Sequence, residues 1–257
     1  ALLCLSLGLC FSSPVILNSV YLKWVTIEKL KLDTFFLGFS FPLSLISMSV
    51  IFSLMKKEAL RMTCLLKEAA FWIINLGVII FFLFILANMF ASQVTIALIL
   101  FGTVALIFYL YWHEGMPVQQ KAFLSSGILF LLVTSITGIA YILLSFTSYY
   151  TPAHSVPLLR LHAFTALYGW NLSGLAVISR HNEFPLKLHS RPVIFLHWLT
   201  VLLLCPLGYF VPAFALLAVG AYAALLLRLF FNRGALDHRL AAIQQATLDD
   251  QNRSRED

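Results

Sequence analysis

PLLRLHAFTALYGWNLSGLAVISRHNE, residues 157–183, is the stretch on which the reading of this chain turns. It is long and apolar enough for a helix across a lipid bilayer, yet it holds a histidine, His162, inside the apolar run. Thr165, Gly169, Ser173 and Ala176 follow at spacings of three and four, which puts them on one narrow, weakly polar helix face. An ionisable side chain inside a membrane normally turns to a bundle interior and is a functional suspect.

The rest of the chain has the same character. Of its 257 residues 61% are hydrophobic and 11% charged, whereas soluble domains carry about 25% charged residues. Too little polar surface is left to cover a water-soluble globule. The expected fold is an all-α integral membrane helical bundle with about eight transmembrane helices, near 2–22, 34–55, 69–90, 94–112, 122–147, 158–179, 192–210 and 213–231. Residues 1–231 form a single transmembrane domain, and 232–257 a polar cytoplasmic tail. The short uncharged connections near Ala91–Gln93 and Val211–Pro212 predict two antiparallel hairpins. The first apolar run lacks a basic flank and reads as a truncated first helix in preference to a signal-peptide remnant. Each half has a charged loop between its second and third helices and closes on a tight hairpin, a weak internal symmetry.

The net charge of +6 does not form a stripe for nucleic acid, because the basic residues gather at the ends of apolar runs. Thirteen lie on one side: Lys56, Lys57, Arg61, Lys67, Lys121, Arg180, Lys187, Arg191, Arg228, Arg233, Arg239, Arg253 and Arg255. Lys23, Lys29, Lys31 and Arg160 lie on the other. The richer side stays cytoplasmic, so both termini are expected there. Cys4, Cys10, Cys64 and Cys205 have no paired spacing and read as apolar residues.

Seven histidines are the main chemical resource. His162 lies a turn below the outer end of helix six, and His197 about one and a half turns above the inner end of helix seven. His154 is expected in the outer loop, and His113, His181 and His189 at the inner surface. Imidazole is a haem or metal ligand, a proton carrier or a hydrogen-bonding group. His162 and His197 are expected about 15 Å apart along the membrane normal, too far to share one iron. A bis-histidine haem b would pair His197 with His113 or His189, or His162 with His154; otherwise one histidine serves alone. The structural alternative is a hydrogen bond from His162 to Ser145 or Ser148 of helix five. That helix is also the expected partner of the Gly169 face, through Thr134, Gly138 and Tyr141. No H-E-x-x-H, Gly-rich phosphate loop or C-x-x-C is present, so metal hydrolysis and nucleotide chemistry have no support. No carboxylate lies mid-span, which weakens an ion-coupled pump. Tyr149, Tyr150, Pro152, His154 and Arg160 form an aromatic and basic outer rim, either an interfacial belt or the mouth of a site.

The run from His162 through Gly169-Trp170 to Gly174 resembles a histidine-led helix of the YndJ-like bacterial membrane proteins. With Ser179-Arg180-His181 it is also similar to the NnrS family helix that opens with His-Ala and ends in a basic loop. The haem–copper oxidases have a distant analogue, but Arg160 stands where their His-x-His pair would need histidine. Phe195-Leu196-His197-Trp198-Leu199 resembles the His-Trp start of a haem helix in di-haem cytochromes b. These resemblances imply a haem role in a bacterial inner membrane.

Three classes follow: a haem-binding or redox-associated membrane protein, a non-catalytic subunit or assembly factor of a larger membrane complex, and a small-molecule carrier. The carrier needs broken helices, for which Pro42 and Pro206 are the candidate kinks. The lipid bilayer is the partner common to all three, and other membrane subunits belong to the second.

Overall fold

The computed structural model describes residues 10, 13–24, 40–56 and 61–234. Residues 2–9, 11 and 12 of the first expected span, residues 34–39 of the second, Lys57 and the tail beyond Gly234 lie outside the described residues. Those described form helices throughout, with two isolated β-bridges and no strand among them. We label the helices α1 (Ser13–Leu22), α2 (Phe41–Ser53), α3 (Arg61–Leu86), α4 (Phe90–Glu114) and α5 (Gln119–Leu144), then α6 (residues 152–179), α7 (Ser190–Phe210) and α8 (Pro212–Phe230).

Five of these, α3, α4, α5, α7 and α8, are long and apolar enough to cross a membrane. In hydrocarbon a backbone must satisfy its own polar groups, and the helix is the local way to do it. Helix α6 has the length, but Arg160, His162 and Asn171 interrupt its apolar run, and it is not among the five. The α3–α4 hairpin turns at residues 87–89 with Asn88 in the left-handed region (φ 57°), and α7–α8 turns at Val211.

The connections sort to two ends. At one, the Lys56 N–H donates to Glu114 O (2.9 Å), and the Met116 N–H to Leu54 O (2.8 Å). At the same end Gln119 bonds the backbone of Leu186 and Leu188, and the Lys187 N–H donates to Arg233 O. Arg180 is 7% exposed there. Its guanidinium donates to Leu229 O (2.7 Å) and Asn232 O, closing the carbonyl end of α8, while Glu183 pairs with it from one turn on. The sequence suggests a free loop charge; the structure makes Arg180 a staple between α6 and α8. Asn232–Gly234 is therefore docked against this end. The turns at 87–89, 145–151 and 211 form the opposite end.

Besides α1, which is π-helical at Asn18–Leu22, two helices are locally widened. In α6, residues Phe164–Asn171 are π-helical, and in α7, Thr200–Leu204. The second stops just short of Pro206, which has no N–H to give and whose ring clashes with the carbonyl four residues back. The expected kink at Pro206 is taken up as this wider turn.

The packing centre is α5 against α6. Gly169 is buried on the Phe130 ring, where an added Cβ would stand 2.5 Å from Phe130 Cγ. Gly127 returns the contact against Ser173 and Trp170. Phe130 also stacks on Trp198 of α7, with ring centres 4.1 Å apart. The small-residue face of α6 thus meets helix five, as its spacing predicts. Gly169→Ala should cost about 1–3 kcal/mol, the usual range for overpacking. Gly102→Ala, where a Cβ meets nothing within 4 Å, should be neutral to about 1 kcal/mol stabilising. Thermal unfolding of both variants in detergent checks the ranking.

Candidate functional site

Helix α6 carries a polar seam through the bundle, built from its sequence order. His162 comes first. Its Nδ1 lies 2.9 Å from Thr134 O of α5, with Thr137 Oγ1 a longer contact at 3.5 Å. A carbonyl only accepts, so Nδ1 carries the proton and Nε2 is the lone-pair nitrogen. The ring edge rests on Gly138, where a Cβ would stand 3.1 Å from His162 Cε1. Among the described residues Nε2 makes no hydrogen bond. His162 is therefore tied to helix five, as the structural alternative expects, but through Thr134 and Thr137. Ser145 bonds its own helix at Ile142 O instead.

One turn along, Thr165 is fully buried and accepts from Thr134 Oγ1 at 2.9 Å. Next comes the wide turn. An unbroken α-helix would aim the Leu172 N–H at Tyr168 O, but here it reaches Gly169 O. Tyr168 O accepts instead from His197 Nε2 of α7, at 2.6 Å. His197 is 5% exposed and lies against the Phe130 ring, with centres 4.8 Å apart. Trp170 Nε1 then donates to Ser44 Oγ (2.7 Å), and Asn171 Nδ2 to Ser40 Oγ (2.9 Å). Asn171 Oδ1 is buried without a partner, as is the Tyr111 hydroxyl in α4.

These contacts correct several expectations. His154 is not in a loop: it sits in the first turn of α6, with Nδ1 2.9 Å from Thr151 Oγ1. It is eight residues from His162 on one helix, about 12 Å of rise, so the two cannot share an iron. His189, the residue just before α7, is likewise eight residues from His197. His197 meets α6 at Tyr168, six residues and about 9 Å of helical rise beyond His162. The two serve different carbonyls. His113 is exposed at the end of α4, with Nδ1 on Tyr109 O (2.9 Å) and its ring on Tyr109. The outer rim is joined by the Tyr141 and Tyr150 hydroxyls, 3.1 Å apart, while Arg160 is exposed.

Phe130, Trp170 and Asn171 are missed by reading histidines and small residues. Trp170-Asn171 carried a signal, two hydrogen-bonding side chains in mid-span facing serines spaced 40, 44 and 47. Phe130 carried none among 23 phenylalanines.

Among the described residues no group of three or more histidine, cysteine, aspartate or glutamate side chains is placed to hold a metal ion. A single imidazole ligand is another matter. A histidine donating Nδ1–H to a carbonyl presents Nε2 in the orientation and tautomer of a ligand, and His162 fits that pattern. His197 does not, because its Nε2 is spent on Tyr168 O. No protein-family model, curated protein or solved structure matches the chain.

The seam predicts unequal costs. His197→Leu removes the hydrogen bond to Tyr168 O from a buried side chain and should destabilise by about 1–3 kcal/mol. Thr134→Val loses only a hydroxyl contact, about 0.6 kcal/mol in a membrane, and keeps the carbonyl that His162 uses. Denaturation midpoints of the two variants in detergent test the order.

Proposed function

We propose that the chain is a haem-associated integral membrane protein of the bacterial plasma membrane, with His162 as the one imidazole that would hold haem b. The supporting observation is the fixed tautomer of His162, with Nδ1 held by Thr134 O and Nε2 uncommitted. Gly138 supports the reading by seating the ring edge, so that the imidazole plane is set before any ligand arrives. The likeness of the His162–His181 run to the YndJ-like and NnrS helices points the same way. Haem, when bound, supplies reversible one-electron transfer or binding of a small diatomic ligand. The chain's own part is to hold the ring, exclude water and keep the Nδ1–H donating to Thr134 O. His154, His113 and His197 take no share in the ligation.

The same reading places eight spans in the bilayer, with the end carrying Lys56, Lys121, Arg180, Lys187 and Arg233 cytoplasmic, in line with the positive-inside bias.

Absorption spectra of protein purified from haem-supplied cells test the assignment. The expected result is a Soret band that sharpens on reduction, is lost at least tenfold in His162→Ala and persists in His197→Gln. No Soret band in the folded wild-type protein, or an equal band in His162→Ala, would overturn it.

A further inference from the structure

Where α4 ends and α5 begins, a groove of about 650 Å³ opens on the flank of the bundle, lined by Trp112, Lys121, Ser125, Ser126, Leu129 and Trp198 among others. Its volume is that of a small-molecule site. Lys121, Ser125 and Leu129 follow at intervals of four, so cation, hydroxyl and apolar side chain stand on one face over about 12 Å of rise. Lys121 Nζ donates to Trp112 O (2.8 Å) and Gly115 O (2.9 Å). An ammonium has three N–H groups, so the side chain is held in place with one donor left. The opening turn of α5 adds the positive end of a helix dipole.

The deeper hydroxyls are unlike others on α5. Thr134, Ser135 and Thr137 all bond a carbonyl one turn back. Ser125, only 7% exposed, makes no hydrogen bond among the described residues yet borders the groove. Ser126, 5% exposed, accepts from Trp198 Nε1 at 2.8 Å and has its own proton uncommitted. A buried hydroxyl without an acceptor is costly in a dry site, and here both protons border one cavity.

We infer that this groove binds an anionic phospholipid of the leaflet at this end, its phosphate at Lys121 and an ester carbonyl at the Ser125 and Ser126 hydroxyls. One acyl chain then lies along Leu129 and Ile194. The order of groups along the groove, cation, donors, then apolar wall, matches the order phosphate, ester, chain in the lipid. Trp112, 59% exposed beside Lys121, sits at the depth where indoles favour the headgroup boundary.

The test is thermal unfolding of the full chain in detergent with added phosphatidylglycerol or phosphatidylcholine of the same chains. Phosphatidylglycerol should raise the wild-type midpoint by several degrees and phosphatidylcholine by less than half of that. Ser125→Leu, which fills the groove without touching a hydrogen bond, and Lys121→Gln should each remove at least half of the difference. Lys187→Gln, an equal charge change at the same end outside the groove, should keep it. Equal shifts from the two lipids, an unchanged difference in Ser125→Leu, or an equal loss in Lys187→Gln would overturn the site.

Discussion

The carbonyl oxygen of Tyr168 is not met by the Leu172 N–H that an unbroken α-helix would bring to it, and in a bilayer no water stands by to replace that donor. The hydrogen bond from His197 is what makes the wide turn of α6 tolerable. Much of the bundle's centre is arranged around that turn. Widening α6 at Phe164–Asn171 brings Gly169 onto Phe130 and swings Trp170 and Asn171 to the serines of α2. Phe130, held between Gly169 and Trp198, then fixes the spacing of α5, α6 and α7 together. A π-helical segment frequently marks a functional position in a helix. Here it also lets one helix bond three neighbours, α2, α5 and α7, through consecutive stretches of its surface.

How much of this was legible depends on what periodicity encodes. Hydrophobic runs reveal helices and hairpins, and small residues four apart reveal a close face, because both follow from the 3.6-residue turn. The meeting of Thr165, Gly169 and Ser173 with α5 was therefore readable. The His197–Tyr168 bond was not, since it depends on an interruption of that same period. His162 reaching Thr134 instead of Ser145 reflects direction. A side chain in a helix leans toward that helix's amino terminus, but antiparallel packing and the register of α5 decide which carbonyl it finds, and register is not written in one helix alone.

Arg180 shows the limit of counting charges. Positive residues at helix ends set orientation, and by that measure Arg180 is one more cation. Its burial and its bonds to Leu229 O and Asn232 O give it a second task. The last carbonyls of α8 lack helical donors, and a guanidinium offers several in a fixed plane. Lys121 does the same for α4. Two of the cations that the positive-inside bias counts thus also terminate helices.

Hydropathy and centrality run in opposite senses here. The five helices apolar enough to cross a membrane by composition bury little of their most apolar stretch, 17% to 33%. Helix α6, which falls outside that set, buries nearly every residue from Gly169 to Gly174. Lipid demands apolar side chains only where it touches, so a helix enclosed by its neighbours is free to carry His162, Thr165 and Asn171. Polar groups so enclosed must find partners in protein, which ties α6 to α2, α5 and α7 and makes it the organising member. In a chain of this kind the least hydrophobic long helix is the place to look for chemistry, because its middle, from Gly169 to Gly174, is covered by protein.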